Sequence, residues 1–317
     1  NAPLNAPLNA PLNAPLNAPL NAPLNAPLNA PLNAPLNAPL NALGDGAHPF
    51  LAIAGQEITQ QVADARPAGP RQAHVNALGA TRVIVPLGER NVAAGTTIAA
   101  TYARNLAEVR ASGAVATVNH PNFRWSVGVA DMAALPDSTL FEVWNGEPRI
   151  NNLGGDDGAG HVAPSTEALW DSLLTRGRLL FGVASDDSHK FQPAQLEDPE
   201  ATRPGLAWVM VRADTLTPAA ILGALRRGDF YATNGVRLAD YAVTPRALHV
   251  VIAPDGPRDD RRYVTRFIGR GGRVLAEVAG LDARYTVRGD EGYVRAVVID
   301  SNGRRAWLQP VRVAGRA

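Results

Sequence analysis

Five side chains in this sequence are of the kind that hold divalent metal ions: Glu57, His74, His120, Asp187 and His189. All offer oxygen or imidazole donors suited to zinc, iron or manganese. Asp187 and His189 follow the apolar run Leu179-Leu180-Phe181-Gly182-Val183-Ala184. On a strand, residues two apart point to the same side, so this carboxylate and imidazole could reach one ion. His120 stands before Pro121, after the run Ala114-Val115-Ala116-Thr117-Val118. Glu57 lies just beyond Phe50-Leu51-Ala52-Ile53-Ala54, and His74 within Ala73-His74-Val75-Asn76. Each alone has a plainer reading: a capping Asp, a surface His, a hydrogen-bonded core histidine. Taken together, in this order and at strand ends, they point to a metal centre. His161, beside the Gly-rich stretch 154–160, is a pocket candidate of lower rank, while His249 alternates within a β-rich run and reads as structural.

Something must hold these residues together. Between residues 47 and 236 short apolar runs alternate with helical ones. Thr96 or Thr97 can cap a helix that carries Ile98, Tyr102, Leu106 and Val109 on one face and stops at Ser112-Gly113. Ser165 or Thr166 opens another, with Leu169, Trp170, Leu173 and Leu174, closed by Gly177. Thr217-Pro218 starts a third, which Gly228 ends. Strand-like runs at 114–118, 139–143, 179–184 and 206–211 fall between them. Strand, helix and strand in repetition predict a parallel sheet with crossover helices. Closed as a barrel, such a sheet gathers its working residues at the carboxyl ends of its strands. His120, Asn145, Asp187 and His189 occupy such places. After residue 236 helical periodicity stops, and turn signals at Pro254-Asp255-Gly256, Gly271-Gly272, Asp290-Glu291-Gly292 and Ser301-Asn302-Gly303 separate short strands. Residues 237–317 are expected to form a small antiparallel β domain of sandwich type.

Composition removes other possibilities. The 317 residues hold no cysteine, which excludes disulfide scaffolds, thiol catalysis and cysteine zinc sites. A net charge of +1 makes no case for a nucleic-acid surface. No apolar run is long enough to span a membrane. Residues 1–40 are ten copies of Asn-Ala-Pro-Leu and hold ten of the 26 prolines. A proline at every fourth position forbids a helix, and the period of four builds no apolar stripe on a polyproline helix. Residues 1–42 are expected to be disordered. The sequence opens inside a repeat unit without Met, so it is expected to be a fragment, and it assigns no compartment.

The runs Gly55-Gln56-Glu57-Ile58-Thr59, Ala73-His74-Val75-Asn76-Ala77-Leu78-Gly79, Asn119-His120-Pro121, Glu142-Val143-Trp144-Asn145-Gly146 and Ser185-Asp186-Asp187-Ser188-His189 resemble the PHP (polymerase and histidinol phosphatase) superfamily, and within it the CehA/McbA-like metallohydrolases. Gly228-Asp229-Phe230-Tyr231-Ala232-Thr233 and Gly303-Arg304-Arg305-Ala306-Trp307 fit the same branch. The resemblance implies a distorted (β/α)7 barrel over residues 43–236, here lacking its first strands, and two or three divalent ions (zinc, manganese or iron). The residue matching Glu57 would bridge two ions. Those matching His74 and His120 would ligate one or two of them, and those matching Asp187 and His189 would complete the cluster. Glu57, Asp187 and His189 would form the catalytic set. Asn119, Trp144, Asn145, His161 and Lys190 are candidates for the substrate pocket. The family's His-x-His and Asp-His-Asn motifs do not occur in this sequence and are expected upstream of it, unless the repeat replaced them.

The function expected is a metal-dependent hydrolase of small-molecule phosphoesters. The competing expectation is a non-catalytic remnant whose β domain binds a partner or carbohydrate. An amidohydrolase is a third reading. It fits less well, because that class usually uses a His-x-His and often a bridging carbamylated lysine, and Lys190, the single lysine, directly follows His189.

Overall fold

The computed structural model describes residues 49–63, 69–156, 158, 160, 162–190, 192 and 202–314. The repeat and His161 lie outside the described residues. Four α-helices occur among the described residues: α1 Ile98–Ala111, α2 Val129–Met132, α3 Thr166–Thr175 and α4 Pro218–Arg227. Their ends follow from local chemistry. Thr97, Ser165 and Thr217 each accept a backbone N–H of the first turn with the side-chain oxygen. Pro218 fits the first turn of α4, and Gly228 ends it at φ 78°, where Phe181 already crowds the space a Cβ would need. No described helix is long and apolar enough to cross a membrane.

The first sheet has five strands in sequence order: β1 Gly55–Ile58, β2 Val75–Leu78, β3 Val115–Val118, β4 Leu140–Asn145 and β5 Phe181–Ser185. The β1–β2 and β2–β3 pairs are antiparallel, whereas β3–β4 and β4–β5 are parallel. Helix α1 leads into β3 and α3 into β5, with the faces of Leu106, Val109, Trp170 and Leu173 buried against the sheet. Gly182 in β5 leaves room for the Trp170 ring, which would lie 2.7 Å from a Cβ there.

The two larger remaining sheets are antiparallel, whereas the short pair Gln61–Val62 and Val92–Ala93 is parallel. A seven-stranded sheet runs in the order β6 Trp208–Val211, β7 Phe230–Thr233, β14 Arg305–Leu308, β13 Tyr293–Asp300, β10 Tyr263–Gly269 and β11 Arg273–Ala279, with β15 Val311–Arg312 also paired to β13. A three-stranded sheet, β8 Leu238–Val243, β9 Ala247–Ile252 and β12 Asp282–Thr286, shares one core with it, built from Leu248, Val250, Phe267, Tyr285, Val294 and Val298. The other face of β13 carries Arg295 and Val297 towards α3.

The expected (β/α)7 barrel does not form. Among the described residues strand outweighs helix, the strands fall into several separate sheets, and none of these closes. Three features account for this. The β1–β2 connection carries no described helix and reverses direction, so parallel order within the first sheet begins only at β3. The run at 206–211, expected to be the next parallel strand, pairs antiparallel with β7 and joins the second sheet. Beyond β5, the Gln309 side chain accepts from the Gly182 N–H at 2.7 Å and donates to the Gly182 carbonyl at 2.8 Å. A side-chain amide thus takes the place of a neighbouring strand.

Candidate metal site

The register of the first sheet gathers the site at one edge. Ile58, at the end of β1, pairs with Val75, and Val75 pairs with Val118 at the end of β3. His74, just before β2, therefore lies beside Glu57 and beside Asn119-His120, and the Asn119 N–H bonds the His74 carbonyl at 3.2 Å. In parallel alignment β4 and β5 end at Asn145 and Ser185, which pair directly. The site lies where β1, β3, β4 and β5 end and β2 begins.

Glu57 is the centre of the cluster. Its Oε1 lies 3.1 Å from His74 Nδ1, 3.4 Å from His120 Nε2 and 3.2 Å from the Asn119 Nδ2 that donates to it. The potential ligand atoms of Glu57, His74 and His120 all lie within 4.8 Å of one another. The two imidazoles meet edge to face with centroids 4.8 Å apart, and Phe123 packs against His120 at 5.3 Å. Gln72 Oε1 lies 3.1 Å from His74 Nε2 and fixes that ring. Both histidines and Asn119 are buried, whereas the Glu57 side chain is 34% exposed and opens to a cleft of about 230 Å³.

Asp187 lines the same cleft but stands outside the three-residue group. Asn145 links it to Glu142, donating to Glu142 Oε2 at 3.0 Å and lying 3.2 Å from Asp187 Oδ2. The strand ends at Ser185 and Asp187 has φ 51°, so strand alternation does not set the directions of Asp187 and His189. His189 Nε2 lies 3.9 Å from Asp187 Oδ1, with its side chain 60% exposed at the rim. The neighbouring Asp186 turns to the backbone instead and accepts the N–H groups of Gly205, Leu206 and Ala207, in the turn that leads into β6. Trp144 faces away from the cleft and stacks on Trp307, and Lys190 is exposed outside the cleft lining.

Several residues of the site were not singled out in the sequence. Glu142 is buried in β4 and accepts from the His120 N–H at 2.5 Å, from Asn145 and from Ser185 Oγ. A carboxylate inside Leu-Phe-Glu-Val is costly to bury without partners, and that was its available signal. Glu147, Arg149, Phe123 and Thr59 also line the cleft, brought in by loops that carry no periodic signal. His120 and Asp187 both hold positive φ, 25° and 51°. Such strain in non-glycine residues persists where the surroundings impose it, and here both residues face one cleft.

The electrostatics match the geometry. Burial alone would raise the Glu57 pKa, but the hydrogen bonds and charges of His120 and His74 outweigh it and hold the carboxyl well below its usual range. Burial opposes charge on His120, yet Glu57, with the charges of Glu142 and Asp187, raises its pKa. Burial pushes Glu142 up, against the pull of His120, Ser185 and Asn145.

No family model, curated protein or solved structure matches this chain.

Proposed function

We propose that the chain is a metal-dependent hydrolase, with a phosphoester as the class of substrate, working at the cleft beside Glu57. The observation that carries this reading is the convergence of Glu57, His74 and His120 on a shared carboxylate oxygen at strand ends. Two imidazoles and a carboxylate suit zinc, and the buried Asn119 Oδ1, which has no hydrogen-bond partner, marks unmet polarity at the same place. Glu57, His74 and His120 would hold the ion. A divalent ion supplies Lewis acidity and a water acidic enough to attack near neutral pH. The protein's own groups orient and exclude. Gln72 fixes the His74 ring, Glu142 fixes the His120 backbone, Phe123 shields the imidazoles, and Asp187 lies across the cleft as a proton acceptor. The reading rests on this donor set and on the PHP-like motifs.

Metal content by mass spectrometry and turnover of a chromogenic phosphoester panel test it. The expected result is one bound divalent ion and slow turnover that chelator abolishes. Glu57→Gln and His120→Ala should each lose the ion and the turnover. Full metal content in both variants, or turnover indifferent to chelator, would overturn the assignment. A folded, metal-free and inactive chain would instead favour the non-catalytic remnant.

A further inference from the structure

A second cavity, about 500 Å³ in volume, lies at the far end of α3 from the candidate metal site and shares no lining residue with that cleft. The start of α3 is tied to the loops near the cleft: Asn122 donates to the Pro164 carbonyl, and Thr166 bonds the Asn152 and Val143 carbonyls. Its ten residues carry the chain about 15 Å onward to Leu174, Thr175 and Gly177, which line the second cavity.

Three arginines from distant parts of the sequence converge there. Arg178 follows the end of α3, Arg270 sits in the turn between β10 and β11, and Arg312 belongs to β15. No carboxylate lines the cavity among the described residues. Asp137 pairs with Arg312 at 2.6 Å from outside the lining, and Arg312 also donates to the Gly177 carbonyl. Three guanidiniums against one carboxylate leave a local charge of +2. Among the described residues, Arg178 Nε is buried without an acceptor, which is costly for a charged donor unless something meets it. Apart from Thr175, the remaining side chains of the lining are mainly apolar, among them Leu174, Leu179, Pro245, Tyr293 and Val313.

We propose that this cavity binds a small organic phosphate, its dianion on Arg178, Arg270 and Arg312 and its apolar body against Leu179, Tyr293 and Val313. The charges balance, since a phosphate monoester carries between −1.5 and −2 near neutral pH. Guanidinium forks match its oxygens in pairs. The volume falls in the range of small-molecule sites, about 300–1,000 Å³. The inference is independent of the metal-site reading.

Isothermal titration of the full chain, with chelator present, tests it. Phenylphosphonate serves as the probe because it mimics the dianion and is not hydrolysed. One equivalent should bind with an affinity on the order of 1 mM or tighter, and inorganic phosphate more weakly. Arg178→Gln/Arg270→Gln should weaken binding by about tenfold or more. Arg212→Gln/Arg226→Gln, which removes the same charge elsewhere, should leave it unchanged. The single variant Arg270→Gln, at an exposed side chain, gives the same reading in a protein that keeps Arg178. No binding of phenylphosphonate, equal binding of inorganic phosphate, or equal losses in the two double variants would overturn the proposal.

Discussion

At the scale of single residues, the shared oxygen of Glu57 sets opposite demands on protons and on metal. Glu57 is depressed below its ordinary 4.5, so its contribution to stability is present above that value and is lost as the pH falls through the lower folded one. His120 is raised above its ordinary 6.5, so its contribution is complete below that value and is lost as the pH rises through the folded one. Chelated protein should therefore melt at lower temperature as the pH climbs above 6.5. Metal requires the neutral imidazole, so with zinc present the slope should reverse over the same range. Thermal scans at several pH values, with and without chelator, check this, and parallel slopes would remove His120 from the ligand set. The residue types and the order of Glu57, His74 and His120 were readable in the sequence because metal ligation uses few side-chain types. The directions of Asp187 and His189 were not, because they depend on a positive φ that no neighbouring residue announces.

At the scale of elements, helix ends and turns were legible, since caps act within a few residues. Thr97, Ser165, Thr217 and Gly228 stand where local chemistry places them, and the four glycine-bearing turns after residue 250 all separate strands. Strand direction was not legible. An apolar run such as 206–211 has the same composition whether it joins a parallel or an antiparallel neighbour, and only the rest of the fold decides. The edge of β5 depends on one long-range contact, Gln309 on Gly182. Gln309→Met keeps the volume but leaves a buried N–H and carbonyl unpaired, and should cost about 2 kcal/mol in urea unfolding. Gly182→Ala drives a methyl into Trp170 and should cost about 1–3 kcal/mol. A loss below ~0.5 kcal/mol in both would mean that this edge is not held as described.

At the scale of the whole molecule, the two sheet systems are joined by a buried charge cluster. Arg295, 1% exposed, meets both oxygens of Asp171 at 2.7 and 2.6 Å and lies over the Trp170 ring, while Tyr293 donates to Asp171 at 2.8 Å. Glu167 bridges Arg295 and Arg305. Removing one member strands the rest, so Asp171→Ala should cost about 3–5 kcal/mol in chemical denaturation. Residues 237–317 alone would lack these partners and would leave β14 without β7, so that piece should show no cooperative transition in calorimetry. A sharp transition would show that the second sheet system stands by itself. The sequence marked Val294, Ala296 and Val298 as an inner face but gave no hint that Arg295, on the opposite face, is equally buried, since the acids that neutralise it lie more than a hundred residues away. Trp144 of β4 stacks on Trp307 of β14 with centroids 5.6 Å apart and planes 30° from parallel, and Asn145 of the candidate site is the next residue. Two indoles so placed couple their electronic transitions. The pair is therefore a built-in optical gauge, whose near-ultraviolet dichroism reports the seating of the two sheet systems from a point one residue away from the side chain that holds Asp187.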